Sequence, residues 1–412
     1  MKRRVVVTGL GAVCPVGNDV NSMWAAMLEG KNGIGPITLF DTTLSRVKIA
    51  AEVKNFDASK YLDERQIARL DRTILLGLVA ASQAYEDADL ASVTIDRYRI
   101  GTFVTSGMGG STTIWTESQH AAAKGPDRMS PYFIPNSIVN LVGGNITIKF
   151  NIKGPNLPVV TACSSSTNSI GEAYRYIKDG YLEIALAGGA EAAINPLGIS
   201  GFTVLRALNF SNDPARASIP FDRERTGFVL GEGAGVLVLE EYEHALARHA
   251  NIYAEVVGYG NTSDAYHITA PDETGESITM CLNFALEEAG IKPEQVDYIN
   301  AHGTSTVLND RIETRAIKQA FGPHAYKLNI SSTKSMTGHM LGATGAIESI
   351  AAILSIRDGI IPPTINTRET DADCDLNYTL GQAVKRRVDI SMNINMGFGG
   401  QNAAIVFKKV SK

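Results

Sequence analysis

Short apolar runs rich in β-branched residues alternate along the chain with longer segments of helical periodicity. Such a run, bounded by turn residues, is typical of a buried strand, and strands separated by helices indicate βαβ units. The sequence therefore predicts an α/β fold with parallel or mixed buried sheets. The predicted strands lie at 5–7, 100–104, 184–187, 236–239, 256–257, 296–300, 330–332 and 403–407.

The two halves of the 412-residue chain share features in the same order. Each opens with a strand leading into glycines, continues with a helix and another strand, and later has a helix ending in basic and glycine stop signals. We predict an ancient duplication into residues 1–250 and 251–412, with a charged helix at 240–250 ending the first half; coincidence is the alternative. The matched segments are 5–11 with 255–260, 84–90 with 285–291, and 177–180 with 356–359.

Composition and charge exclude several classes of protein. Hydrophobic residues make up 44% of the chain and charged residues 20%, which is ordinary for a soluble globular enzyme. The net charge of −5 argues against general nucleic-acid binding. The apolar run after the basic start at residues 1–4 ends at Thr8, too soon for a signal peptide, and no stretch approaches the length of a membrane span. We expect a cytoplasmic protein with no membrane partner.

Cys163 has the sequence context of a nucleophile. It follows an apolar run, lies among small residues and precedes a helical pattern, which places it at a strand-to-helix turn. A helix N-terminus favours the thiolate, and small neighbours leave room for a substrate. A buried structural cysteine is the alternative, as we predict for Cys281 on the apolar face of a helix. The spacing of Cys14, Cys163, Cys281 and Cys374 implies neither a disulfide framework nor a zinc site.

Two histidines follow strand-like runs. His302 is followed by glycine and three hydroxyl residues, which suits donation to a substrate oxygen, although a surface-turn histidine is the alternative. His339 precedes a helix rich in glycine and alanine. By the duplication, that helix is the counterpart of the helix that begins at Cys163. Pseudo-symmetry therefore predicts that Cys163 and His339 meet in one pocket.

A glycine-rich loop, Gly397-Phe398-Gly399-Gly400, lies near the end of the chain. Its glycines let the backbone pass close to a ligand, and Phe398 is its one bulky side chain. Such loops are common, and this one lacks the spacing of a phosphate-binding loop.

Together the segments TACSSS, NAHGTST, SSTKSMTGH and GFGG resemble the β-ketoacyl-acyl-carrier-protein synthases of the thiolase superfamily, and most of all the elongating synthases II. The resemblance extends from Val5 to Phe407. It implies a duplicated, thiolase-like, five-layer α-β-α-β-α architecture with mixed sheets. It also implies a homodimer that acts on acyl- and malonyl-loaded acyl carrier protein and requires no cofactor.

The activity that this resemblance implies is a decarboxylative Claisen condensation in fatty-acid elongation. Cys163 would carry the acyl chain as a thioester, and His302 and His339 would bind the malonyl thioester carbonyl as CO₂ leaves. Backbone N–H groups of Cys163 and Phe398 would hold the oxyanion. Phe398 would also act as a gate, and Lys334 would orient His339 and pair with Glu348.

The resemblance assigns further residues to the site. Met108 and Phe202 would line the acyl pocket, and Phe133 would reach toward the partner's pocket. Acidic carrier protein requires a basic docking surface, for which three arginines are candidates. The remaining assignments are Thr304, Thr306 and Gly399 for substrate binding, and Arg65, Arg69 and Arg206 for docking.

The chain departs from the family pattern at several positions. Val307 replaces a proline, and the usual SNSFGFGGTN reads NINMGFGGQN at 393–402, so that Met396 replaces phenylalanine. The family often holds a structural Na⁺ or K⁺, which here would lie near Asn300, Glu348, Asn393 and Ile394.

Related activities remain as alternatives. A thiolase has a second cysteine in a CxG motif, where this chain has Gly397-Phe398-Gly399. A chain-length-factor subunit has lost the nucleophile. A synthase I-like enzyme of unsaturated chains and a polyketide ketosynthase subunit stay open.

Overall fold

The computed structural model describes residues 3–410, so the first two residues of the basic start lie outside it. Within that range strands and helices alternate. The strands are β1 (Val5–Val13), β2 (Gly35–Pro36), β3 (Ile49–Ala50), β4 (Ile100–Thr105), β5 (Ile184–Glu191), β6 (Gly233–Glu241), β7 (Ala254–Ser263), β8 (Tyr298–Asn300), β9 (Asn329–Ser331), β10 (Ile360–Ile361), β11 (Val384–Lys385), β12 (Ile390–Gly397) and β13 (Gln401–Lys408). The helices are α1 (Val20–Leu28), α2 (Glu64–Arg69), α3 (Arg72–Asp87), α4 (Ser111–Lys124), α5 (Phe133–Ser137), α6 (Leu141–Phe150), α7 (Ser165–Lys178), α8 (Pro196–Val204), α9 (Tyr242–Ala247), α10 (Glu276–Ala289), α11 (Val307–Phe321), α12 (Lys334–Thr337) and α13 (Thr344–Asp358).

Nine strands form one mixed sheet in the order β4-β5-β6-β1-β7-β13-β12-β8-β9. The pairs β4–β5, β12–β8 and β8–β9 are parallel, and the other neighbours are antiparallel. The two halves of this sheet join at β1 and β7 through three residue pairs only. The predicted mixed α/β fold is therefore confirmed.

All eight predicted strands are present in the large sheet, where one further strand was missed, and one predicted helix has the wrong bounds. Strand β12 was not predicted, because its asparagines are uncommon in strands, yet every residue from Ile390 to Met396 is buried. The segment 240–250 is helical only over Tyr242–Ala247, because Glu240 and Glu241 still pair within the sheet as the end of β6.

The helices form three layers around the two halves of the sheet. Helix α3 packs outside β1 and β6, and α10 packs outside β7 and β13. Helices α7 and α13 lie between the two halves, α7 against β4 and β5 and α13 against β6 and β12. Helix α13 is buried from Thr344 to Ile356. This burial explains why its own side chains are mostly apolar or small on every face. This is the predicted five-layer α-β-α-β-α arrangement.

The same close contact recurs in both halves. A Cβ atom on Gly11 of β1 would lie 1.9 Å from the carbonyl oxygen of Ala80 on α3, and one on Gly260 of β7 would lie 2.0 Å from that of Cys281 on α10. Each outer helix can therefore approach its strand only because the strand carries glycine there. The matching contacts support the predicted duplication, whereas the boundary at residue 250 stays a prediction.

Candidate active site

Cys163 lies in a tight turn directly before α7. The turn covers Ala162–Ser164, and Ala162 has a φ of +51°, a left-handed conformation that is uncommon for a residue with a Cβ. The hydroxyl of Ser165 holds the turn by accepting from the N–H of Thr161 at 2.8 Å and donating to the carbonyl of Ala162 at 2.6 Å. The turn resembles a nucleophile elbow in leading directly into a helix, and it explains the small and hydroxyl residues around the cysteine. The strand half of the predicted strand-to-helix turn is wrong, because residues 157–161 form no strand and Val160 is exposed.

The second half of the chain contains an equivalent turn before α13. It covers Leu341–Ala343, and Leu341 has a φ of +46°. The pseudo-symmetric counterpart of Cys163 is therefore Gly342, and His339 stands three residues before it. Each half thus contributes reactive groups near the N-terminus of its central helix.

Strand β8 delivers His302, whose backbone is held by a buried carboxylate. The N–H groups of His302 and Gly303 donate to the two oxygens of Glu313 on α11, at 2.5 and 2.8 Å. Burial raises the pKa of Glu313 to about 7. Glu313 has no role in the prediction from sequence. The one available signal was its position one helical turn after Asp310, whose carboxylate accepts the backbone N–H of Ser305 in the same loop.

Lys334 contacts His302, so the prediction that it orients His339 is wrong. Its Nζ lies 3.3 Å from Nδ1 of His302 and 2.5 Å from Oε1 of Glu348. The reason is that Lys334 begins α12, whereas Gly338, with a φ of +64°, breaks the chain direction before His339. The predicted pairing of Lys334 with Glu348 is confirmed.

His339 is oriented by its own neighbours in sequence. Its Nδ1 accepts the backbone N–H of Leu341 at 3.3 Å and lies 3.1 Å from Oγ1 of Thr344. A backbone N–H can only donate, so the neutral ring carries its proton on Nε2. The ammonium of Lys334 likewise only donates, which assigns the same tautomer to His302.

Both imidazoles are buried and close together. Their ring centroids are 5.4 Å apart, with the planes almost perpendicular. Burial, and secondly the charge of Lys334, lower the pKa of His302 and of His339 well below the usual 6.5. At neutral pH the site therefore presents two neutral Nε2–H donors, which can stabilise negative charge on an oxygen.

These groups line one cavity of about 340 Å³. Cys163, His302, His339 and Phe398 all contribute to its wall. Backbone N–H groups of Cys163 and Phe398 lower the pKa of the thiol, so both act close to the sulfur. The other assigned residues in the wall are Phe202, Arg206, Thr304 and Thr306, together with Met396.

The prediction of a helix-stabilised thiolate is wrong, because the thiol is buried. Cys163 is 8% exposed, and burial raises the pKa of its thiol to about 11, although Lys334 and two backbone N–H groups oppose the shift. The desolvation of a buried thiolate outweighs these favourable contacts. At neutral pH Cys163 is therefore a thiol, and a nucleophilic role would require it to lose its proton.

The glycine-rich loop lies close to Cys163 because Gly397 has no side chain. A Cβ there would lie 2.5 Å from the carbonyl oxygen of Thr161 and 3.2 Å from the nitrogen of Cys163. The loop joins β12 to β13 and leaves the ring of Phe398 6.5 Å from that of Phe202. Gly399 does not line the cavity; its N–H donates to the carbonyl of Ile268 at 2.8 Å.

The remaining assigned residues lie around this centre. Met108 and Phe202 each pack against the hydrophobic cluster that contains Cys163, whereas Phe133 is half-buried in α5 and does not line the cavity. Glu191, for which the sequence predicted no role, holds the loop at Met108 by accepting the backbone N–H of Met108 at 3.1 Å. Of the arginines, Arg206 is exposed beside the cavity, while Arg65 and Arg69 are exposed on α2.

The residues at the predicted Na⁺ or K⁺ site have oxygen atoms that suit such an ion. The side-chain oxygens of Asn300 and Asn393 are buried without hydrogen-bond partners, and these residues are paired between β8 and β12. Amide and backbone oxygens are suitable ligands for Na⁺ and K⁺. Asn300, Asn393 and the carbonyl of Ile394 would hold the ion, and Glu348 would balance its charge. The ion stays a prediction.

The Lys334–Glu348 pair leads to a prediction about stability. Both side chains are 1% exposed, so Lys334→Met leaves a buried carboxylate without its cation. We expect the free energy of unfolding in urea to fall by about 3–5 kcal/mol. The double variant Lys334→Met/Glu348→Leu removes both charges and should recover much of this loss. Equal stability of the single variant and the parent would contradict the prediction.

The chemistry available in this cavity is that of a condensing enzyme, an acyltransferase that joins a cysteine-bound acyl group to a carbanion. Family comparison gives the same class. The model described as "Beta-ketoacyl synthase, N-terminal domain" matches residues 2–245, and "Beta-ketoacyl synthase, C-terminal domain" matches residues 253–368. The chain belongs to the beta-ketoacyl synthase family.

Curated relatives and solved structures agree with this assignment. Proteins named 3-oxoacyl-[acyl-carrier-protein] synthase 2 are 49% identical in Synechocystis sp., over 99% of this chain and 98% of that one, and 48% identical in Coxiella burnetii, over 99% of each. A beta-ketoacyl synthase from Burkholderia phymatum superposes with a TM-score of 0.93 at 33% identity over the whole of both chains. A type II polyketide ketosynthase, solved in complex with its acyl-carrier protein, has a TM-score of 0.93 at 34% identity, again over both whole chains.

Among residues 3–410, no helix is both long and apolar enough to cross a membrane.

Proposed function

We propose that this protein is a 3-oxoacyl-[acyl-carrier-protein] synthase that elongates fatty acids by decarboxylative Claisen condensation. One observation carries the proposal: Cys163 and two neutral Nε2–H imidazoles line the same cavity. A thiol accepts an acyl group, and two fixed N–H donors stabilise the enolate of a second substrate.

The reaction has two stages. In the first, the sulfur of Cys163 forms a bond to the acyl carbonyl carbon, and the carrier's sulfur leaves with the proton that the thiol loses. In the second, the C–C bond to the malonyl carboxylate breaks and CO₂ departs. The electron pair forms an enolate whose oxygen accepts from His302 and His339. The enolate carbon then attacks the acyl carbon, and Cys163 leaves and regains a proton.

During both attacks negative charge develops on the acyl carbonyl oxygen. The backbone N–H groups of Cys163 and Phe398, which lower the pKa of the thiol, are the donors proposed for that oxygen. Each such donor contributes about 3 kcal/mol to transition-state stabilisation. Phe398, facing Phe202 across the cavity, is the proposed gate for the second substrate.

A condensation assay with purified components tests the function. Labelled malonyl carrier protein is incubated with a series of acyl carrier proteins, and the expected product is the carrier-bound 3-oxoacyl chain two carbons longer. The donor series ranks chain length and unsaturation. No product with any straight-chain donor would overturn the fatty-acid assignment and favour the polyketide alternative. We prefer the former because relatives named 3-oxoacyl-[acyl-carrier-protein] synthase 2 are 46–49% identical, against 33–35% for polyketide and other ketosynthase structures.

Acyl carrier protein is the proposed macromolecular partner, bound through Arg65, Arg69 and Arg206. The three guanidinium groups are exposed, and Arg206 lies beside the cavity mouth. Arg206→Glu should raise KM for carrier-bound substrates about tenfold, because it replaces an attractive charge by a repulsive one. The effect should shrink as salt rises, since exposed charges are screened. Arg387→Glu, at an exposed arginine outside the cavity wall, is the control. Equal KM values would contradict docking through Arg206.

A cytoplasmic homodimer is the proposed assembly. Tyr132, Ile134 and Ile138 are exposed in a single segment around α5, next to Phe133. Such a patch suits burial against a second copy, in which Phe133 reaches the partner's pocket. The mass in solution tests this: about 88 kDa, twice 44.1 kDa, is expected, and a monomer would overturn it.

A further inference from the structure

Asn395 occupies a position that the mechanism above does not use. It lies on β12, is fully buried, and stands where the family motif SNSFGFGGTN has its second serine. Its side-chain nitrogen donates to Oε2 of Glu348 at 2.8 Å and lies 3.3 Å from Nδ1 of His302. The side chain therefore touches the same two groups that Lys334 touches from the other side.

The orientation of this amide is set by its surroundings. The carbonyl oxygen of Asn395 accepts from the hydroxyl of Thr167 and from the side-chain nitrogen of Asn393, the latter at 3.0 Å. Two donors on one end fix the oxygen there, so the NH₂ end must face His302 and Glu348. Gly345 is required beside this contact, because a Cβ on it would lie 2.6 Å from the amide oxygen.

We propose that Asn395 is a positioning residue for the condensation reaction, which together with Lys334 keeps Nδ1 of His302 as an acceptor and so directs Nε2–H into the cavity. This role rests on the proposed function. An amide has two N–H groups and can serve His302 and Glu348 at once, whereas a serine hydroxyl has one. Thr167 belongs to α7, so the same amide also joins the nucleophile helix to the histidine.

Asn395→Ser tests the role with the residue of the family motif. We expect kcat for decarboxylation of malonyl carrier protein to fall about 5- to 10-fold, the value of one net hydrogen bond, with KM unchanged. The rate at which Cys163 is acylated should stay at the parent level, because acylation does not use His302. Ser391→Ala is the matched control: Ser391 is buried on the same strand but donates to Ala352 on α13, away from the histidines.

Asn395→Asp keeps the size of the side chain but replaces its donor by an acceptor. The carboxylate favours a proton on Nδ1, so the decarboxylation rate should fall about 100-fold, as when a charge-stabilising donor is lost. Long-range ¹H–¹⁵N spectra of protein labelled with ¹⁵N-histidine report which ring nitrogen carries the proton. The chain has seven histidines, and His302→Ala assigns the signal of interest. His302 should be Nε2–H in the parent and move toward Nδ1–H in Asn395→Asp.

Two results would overturn the proposal. One is a spectrum of the parent protein in which His302 carries its proton on Nδ1. This measurement does not depend on any variant being folded. The other is a folded Asn395→Ser protein that decarboxylates at the parent rate, or no slower than Ser391→Ala. Failure of the proposed function looks different: the parent itself would neither decarboxylate nor condense, whatever its histidine tautomer.

Discussion

Cys163→Ala is expected to abolish condensation and to leave the decarboxylation of malonyl carrier protein in place. The two activities separate because they use different groups of the cavity. Formation of the acyl thioester requires the sulfur, and loss of a nucleophile lowers turnover by about 10⁴-fold or more. Loss of CO₂ requires N–H donors that stabilise the enolate oxygen. The two proposed donors, His302 and His339, are held by contacts that do not involve Cys163.

Two measurements on the Cys163→Ala protein check this expectation. Transfer of a labelled acyl group from carrier to protein should disappear, while release of labelled CO₂ from malonyl carrier protein should continue. Cys281→Ala is the control, because Cys281 is fully buried in α10, with its thiol 3.3 Å from the carbonyl of Gly260. Acyl transfer that survives in Cys163→Ala, or disappears in Cys281→Ala, would contradict the assignment of the nucleophile.

The rise in the thiol pKa bears on how acylation depends on pH. A thiol with a pKa of about 11 is almost entirely protonated at neutral pH. The acylation rate should therefore increase with pH through the neutral range, as the thiolate fraction increases. A rate that does not change with pH over this range would contradict a thiol whose pKa is raised by burial.

The sequence predicts most of the framework because local signals and the fold agree. Short apolar runs with β-branched residues predicted eight strands, and all eight are present. The glycines of β1 and β7 allow the same close contact with an outer helix in each half of the chain. The pseudo-symmetry also predicted that Cys163 and His339 lie near the N-termini of equivalent helices. In the structure, Cys163 lies in the turn before α7 and His339 precedes the equivalent turn before α13.

The contacts within the site depend on where each side chain points, which cannot be predicted from the spacing of residues in the sequence. Lys334 is closer in sequence to His339, yet its ammonium reaches His302 across the buried space beside α13. Glu313 is eleven residues from His302 and holds it through the backbone, which no motif records. The thiol pKa was also misjudged, because the helix position is visible in the sequence and the burial of the sulfur is not.

Replacement of either histidine is expected to separate the activities in the opposite way to Cys163→Ala. His302→Ala and His339→Ala should each lower malonyl decarboxylation by about 10²- to 10³-fold, the usual effect of losing one oxyanion donor. Acylation of Cys163 should stay near the parent rate. His339→Asn, which retains an N–H donor, should keep more activity than His339→Ala. The exposed His249 provides the control variant His249→Ala.

The pH dependence gives this prediction a second measurement. Because the pKa of each histidine lies well below 6.5, both rings stay neutral from about pH 6 to 8, and the parent decarboxylation rate should be flat there. Stability has a defined sign as well. An unfolded histidine binds a proton below about pH 6.5 while the buried ring does not, so the free energy of unfolding should fall as pH drops below that value. His302→Ala should weaken this dependence. Two results would contradict the assignment of His302 and His339 as neutral donors. One is a decarboxylation rate that titrates between pH 6 and 7, and the other is an equal loss of acylation and decarboxylation in the alanine variants.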